Sequence, residues 1–154
     1  MAELLDVGTK VPDLTGKDQN GNNVSLKNLL GSKVALYFYP KDDTPGCTTQ
    51  ACNLRDNEAA LKAQGIVVIG VSVDTETKHQ KFIEKFALNF PLIADTDHTW
   101  VEAFGVWAEK SMYGKKYMGT NRVTYLIDET GTITQRIEKV KVAEHSQQIL
   151  TGFT

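Results

Sequence analysis

Val34-Ala35-Leu36-Tyr37-Phe38-Tyr39 is a continuous apolar and aromatic run that Pro40 closes. A run of this length with no polar interruption is the mark of a strand buried on both faces of a sheet. Downstream, Ile66-Val67-Val68-Ile69-Gly70-Val71-Ser72-Val73 is a second such strand, interrupted only by Gly70 and Ser72. Between the two, Thr48–Gln64 sets Ala51, Leu54, Ala59 and Leu61 among polar residues and stops before Gly65, which predicts a helix. Strand, helix and strand make a βαβ unit with a right-handed crossover, and chemistry in such a unit gathers at the carboxyl end of the first strand.

Working outward, Val11–Leu14 and Val24–Leu26 flank Asp18-Gln19-Asn20-Gly21-Asn22. Its Asn-Gly pair predicts an N-terminal β-hairpin. Thr77–Phe86 is a second helical pattern, Phe90–Ala94 a short extended segment, and Thr99–Phe104 a short helix ended by Gly105. Val123–Asp128 and Thr132–Ile137 alternate like strands about the turn Glu129-Thr130-Gly131, and Ala143–Leu150 closes the chain as a helix. Gly105–Thr120 is expected to be one long irregular loop, a length at which loops often carry function. The fold class is α/β, a mixed central sheet flanked by helices, within a single domain over residues 1–154.

A formal charge of −2 with scattered basic residues gives no electrostatic footprint for nucleic acid or an anionic membrane. The longest apolar run, Ile66–Val73, falls far short of the roughly 20 residues that span a bilayer. Met1–Lys10 carries Glu3 and Asp6 and lacks the basic and apolar parts of a signal peptide, so a cytoplasmic location is expected. Thiols there are kept reduced, and two close cysteines then point to redox chemistry or metal binding rather than to a staple.

Those cysteines are Cys47 and Cys52. Cys47 follows a buried strand and the Pro45-Gly46 turn, in the first turn of the predicted helix. Free N–H groups and the positive dipole end there favour an anionic sulfur, the nucleophilic form. Alone, it is equally compatible with a buried helix cysteine without chemistry. Cys52 lies five residues on. In an intact helix that spacing means a rise of ~7.5 Å, a rotation of ~140° and Cα atoms about 8 to 9 Å apart. A disulfide needs a separation below about 7 Å, so the pair bridges only if the first turns unwind. Zinc is the competing reading, but His79, His98 and His145 show no close pairing and Cys-x4-Cys is at the edge of ligand spacing. A thioredoxin-type oxidoreductase would normally carry Cys-x-x-Cys.

The stretch Phe38-Tyr39-Pro40-Lys41-Asp42-Asp43-Thr44-Pro45-Gly46-Cys47-Thr48-Thr49-Gln50-Ala51-Cys52 resembles the active-site segment of peroxiredoxins, in particular the bacterioferritin-comigratory-protein or peroxiredoxin Q subgroup. The similarity continues through Val71–Asp74, Phe90–Asp95, Phe104–Trp107 and Arg122–Asp128. The resemblance implies a thioredoxin-like fold and the reduction of hydrogen peroxide and organic hydroperoxides without a cofactor or metal. It implies Cys47 as the peroxidatic and Cys52 as the resolving cysteine, joined as an intramolecular disulfide that a thioredoxin-like partner reduces. Thr44 corresponds to the hydroxyl that hydrogen-bonds thiolate and peroxide, Arg122 to the guanidinium completing the pocket, and Pro40 to the shield against water. Backbone N–H groups of Gly46 and Cys47 would stabilise charge on the departing oxygen. An intramolecular pair removes the chemical need for a dimer, so a monomer is expected. One departure is Gln50, where many subgroup members carry Glu: the amide still hydrogen-bonds but removes a negative charge. Another is Val123-Thr124-Tyr125, where the usual serine is replaced, expected to be conservative packing. A general thiol-disulfide oxidoreductase and a redox-sensing interaction module stay open as alternatives.

Overall fold

The computed structural model describes residues 3–154, so Met1 and Ala2 of the N-terminal segment lie outside the described residues. A hairpin opens the fold, pairing β1 (Thr15–Lys17) with β2 (Asn23–Ser25) antiparallel. Its turn is held by Asp18, whose Oδ1 accepts from the N–H groups of Asn20 and Asn22 at 2.9 and 3.0 Å, with Gly21 at φ 77°. Only Gly and Asn take such positive φ cheaply, and this is why the hairpin is legible. Pairing starts at Thr15 rather than at Val11–Leu14.

The main sheet is built from β3 (Lys33–Phe38), β4 (Ile66–Ser72), β5 (Leu92–Ala94), β8 (Val123–Ile127) and β9 (Ile133–Ile137), in the order β5-β4-β3-β8-β9. β3 runs parallel to β4 and antiparallel to β8, so the sheet is mixed, as expected. Side chains of β3 alternate between two cores, as strand geometry requires. Val34, Leu36 and Phe38 pack with Val71, Trp100, Phe104 and Tyr125 on one face. Ala35, Tyr37 and Tyr39 pack with Cys47, Ala51, Leu54, Leu61, Phe82 and Ile149 on the other. With both faces covered, a fully buried residue such as Leu36 contributes roughly 1.5–3 kcal/mol of transfer free energy.

The second face is covered by α1 (Pro45–Asp56), α2 (Glu58–Ala63), α3 (Glu76–Phe86) and α5 (His145–Gly152); α4 (Thr99–Ala103) packs on the first. The helix expected over Thr48–Gln64 is two helices. At Asn57 the backbone leaves the helical region, and the side-chain Nδ2 donates to Asn53 O at 2.8 Å, the competition with backbone bonding by which Asn ends helices.

Gly105–Thr120 is not an irregular loop. It is a second hairpin, β6 (Trp107–Met112) paired with β7 (Lys115–Thr120). Its two-residue turn places Tyr113 at φ 52° and Gly114 at φ 78°, the left-handed pair that tight hairpin turns need. Tyr-Gly is not the usual signal for that turn, and the Lys-rich strands lack clean alternation, so the pattern did not announce itself.

Candidate active site

Parallel pairing of β3 with β4 and antiparallel pairing with β8 puts the end of β3 beside the start of β8, with Phe38 opposite Val123. The residues just beyond, the Pro40–Thr44 connection on one side and Arg122 on the other, therefore face one another. Thr44 is the N-cap of α1, in extended conformation, and Pro45 is its first helical residue, where a missing N–H and a fixed φ suit the helix start. The first helical bond runs from Thr48 N to Thr44 O at 2.8 Å. The N–H groups of Gly46 and Cys47 precede it and have no intrahelical acceptor.

Cys47 is 1% exposed. Arg122 approaches it as a fork, Nη2 donating to Cys47 Sγ at 3.3 Å and Nη1 to Gln50 Oε1 at 2.6 Å. Gln50 sits one helical turn beyond Cys47 and holds the guanidinium without adding a charge. Gly46 leaves room for it, since a Cβ there would stand 3.2 Å from Arg122 Nη2. Cys47, Gly46, Gln50 and Arg122 are thus brought together. The guanidinium and the helix terminus both set positive charge against the sulfur. Beneath them Tyr37 is fully buried; burial first, then the charges of Cys47 and Asp42, push its phenol well above the ordinary value and keep it neutral.

The other expected residues are placed differently. Thr44 Oγ1 donates to Lys41 O at 2.8 Å, so here the hydroxyl closes its own loop instead of bonding the sulfur. Pro40 is half-buried just past the end of β3. Cys52 is half-buried on α1, and both cysteines are free thiols, as the span of an intact helix requires. Thr124 does more than pack: its hydroxyl meets His145 Nε2 at 2.8 Å. Because His145 Nδ1 faces Gln148 Oε1, an acceptor, Nδ1 carries the hydrogen and Nε2 accepts from Thr124. Burial pushes the imidazole down to about 4.

Lys110 escaped the sequence pattern. It lies across β7 against Gly119, and its Nζ donates to Thr120 O at 2.6 Å, two residues before Arg122. Burial lowers its pKa, and the Arg122 charge acts in the same sense while Cys47 opposes it, so a second cation borders the site. Only the hairpin fold could reveal this. A surface cleft lined by Gly16, Lys17, Thr75, Asp95 and Trp100 among others takes none of these residues as its walls.

Residues 7–136 match the AhpC/TSA family. The chain belongs to this family of peroxiredoxins. It is 49% identical to a putative peroxiredoxin bcp of Haemophilus influenzae, over 95% of this chain and 94% of that one. It is 46% identical to peroxiredoxin Bcp of Bacillus subtilis, over 95% and 93% of the two chains. Among solved structures, a peroxiredoxin Q mutant of Xanthomonas campestris superposes with a TM-score of 0.89 at 35% identity, covering 97% of this chain and 98% of that one. A PrxQ mutant of Xylella fastidiosa gives 0.92 at 29% identity, covering 98% and 96%. The fold is thioredoxin-like and the chain is a peroxiredoxin enzyme, a thiol peroxidase. Among the described residues no helix is long and apolar enough to cross a membrane.

Proposed function

We propose that this peroxiredoxin is a monomeric, single-domain cytoplasmic enzyme that reduces hydrogen peroxide and organic hydroperoxides with Cys47 and resolves with Cys52. The observation that carries this is the Cys47 sulfur, buried at a helix start and 3.3 Å from the Arg122 guanidinium. The Cys47 thiolate attacks the terminal peroxide oxygen. The O–O bond breaks, the sulfur becomes a sulfenic acid, and the departing oxygen takes a proton to leave as water or an alcohol. Arg122 holds the reacting oxygen, and the N–H groups of Gly46 and Cys47 face the charge that develops. Thr44 joins them when its hydroxyl turns from Lys41 O, and Pro40 limits the entry of water.

The Cys52 thiol then attacks the sulfenic sulfur, forming the disulfide and releasing water. In α1 the two cysteines are held about 8 to 9 Å apart, so this step follows unwinding of the first turns. A dithiol of the thioredoxin type exchanges with the bridge, returning both thiols and leaving with the disulfide.

The test is mass spectrometry after one equivalent of peroxide. The wild type is expected to lose two hydrogens within one chain, Cys47→Ser to stay unmodified, and Cys52→Ser to consume one peroxide and retain a sulfenic or more oxidised sulfur. An intermolecular link, or equal loss of reaction in both variants, refutes the assigned order. A coupled thioredoxin assay separates the remaining readings. A general disulfide oxidoreductase would reduce insulin-type disulfides without peroxide, and a sensor would react once without turnover.

A further inference from the structure

A closed set of buried polar groups stands beside the site and takes no part in the chemistry above. Asp42, in the loop between β3 and α1, accepts from the Tyr39 hydroxyl on Oδ1, and its Oδ2 lies 2.6 Å from His79 Nδ1 on α3. His79 Nε2 is 2.9 Å from Ile93 O on β5; a carbonyl only accepts, so Nε2 carries a hydrogen. The Asp42 N–H donates to Asp74 Oδ2 at 2.9 Å, and the Ser72 hydroxyl donates to the same oxygen at 2.7 Å. His79 and Ser72 are fully buried, and Asp42 and Asp74 are each 8% exposed. Asp42, Asp74 and His79 are close enough to share a cation, yet each already has protein partners.

The set therefore fixes one short piece of chain against three elements: the end of β4 through Ser72 and the Asp74 just beyond it, α3 through His79, and β5 through Ile93. The next residue, Asp43, is held at φ 59°, and its carboxylate pairs with Lys85 Nζ at 2.8 Å. This segment leads straight into the site. Asp43 is followed directly by Thr44, the N-cap residue of the helix that presents Cys47. A buried pair removed on one side leaves an unpaired polar group, and the backbone bearing it shifts to regain a partner. Here that shift would carry Thr44 and the start of α1 with it.

We propose that His79 is a positioning residue for Cys47, acting through Asp42 to hold the Pro40–Asp43 segment, and with it the peroxide pocket, in register. This inference rests on the peroxidase reading of Cys47. It also sets a boundary: the segment before Thr44 stays fastened to the sheet while the first turns of α1 unwind.

The experiment uses the full chain carrying Cys52→Ser, so that only the first step is observed. Rates of Cys47 oxidation by hydrogen peroxide and of its alkylation by iodoacetamide are measured in parallel for this parent, for His79→Gln and for Tyr39→Phe. Alkylation needs the thiolate but not the peroxide pocket. His79→Gln is expected to slow the peroxide reaction at least about tenfold with alkylation within about threefold of the parent, and Tyr39→Phe to shift it a few-fold in the same sense. Peroxide rates within twofold of the parent, or two reactions that move in parallel, overturn the proposal. Tyr39→Phe keeps the ring packing, so it decides the matter if His79→Gln does not fold: an unchanged peroxide rate there overturns it. A parent that never reacts with peroxide refutes the peroxidase reading as well, whereas a reactive parent with unaffected variants refutes this inference alone.

Discussion

Replacing Arg122 by Lys keeps the charge and removes the fork. In the wild type one guanidinium reaches Cys47 Sγ at 3.3 Å and Gln50 Oε1 at 2.6 Å at once. A lysine ammonium is a single point on a shorter, flexible stem and cannot serve both acceptors in that geometry. Gln50 Oε1 is the nearer acceptor and is fully buried, so it competes with the sulfur for the ammonium. The contact sacrificed is then the one to the sulfur. Hydrogen bonds to charged groups are worth about 1.5–3 kcal/mol, and each 1.36 kcal/mol on a barrier is tenfold in rate, so Arg122→Lys is expected to slow Cys47 oxidation by roughly 10- to 150-fold. Stopped-flow measurement with hydrogen peroxide in the Cys52→Ser background isolates this step. A rate constant within twofold of the parent would show that charge alone suffices and would falsify the fork as the cause.

Two further outcomes are expected. His145 titrates near 4 when folded against about 6.5 when unfolded, because burial disfavours the imidazolium, followed by the Arg122 charge, while its bond to Gln148 works the other way. Above pH 6.5 both states are neutral; between 6.5 and 4 only the unfolded state takes the proton, so stability falls by an order of about 3 kcal/mol and then levels off. Urea titrations across this range check it, and His145→Gln that retains the full slope refutes the assignment. Tyr113, 97% exposed and at φ 52°, occupies a left-handed position that costs an ordinary side chain roughly 1 kcal/mol, so Tyr113→Asn is expected to raise stability by about 0.5–1 kcal/mol in the same titration, and a loss would contradict the turn assignment.

The sequence by itself determined the parts whose physics is local. Val34–Tyr39 and Ile66–Val73 announce buried strands because they are dominated by apolar and aromatic side chains, and Asp18–Asn22 announces a turn because Asn and Gly accept its dihedral angles. Cys47 follows from the same local logic, since Pro45 and Gly46 mark a helix start. The resemblance added Arg122, which spacing alone leaves as a solvated strand residue. What only the tertiary structure decided are the meetings between distant segments. The register of β3 against β8 brings Arg122 onto Cys47 from 75 positions away. The β6–β7 hairpin delivers Lys110 to the same place, and α3 carries His79 to Asp42 across 37 positions. Pairings of this kind depend on strand order and helix placement, to which no short stretch of chain has access, and the Thr44 hydroxyl makes the same point: a motif can name the residue, but its hydrogen bond, here to Lys41 O, is set by its surroundings.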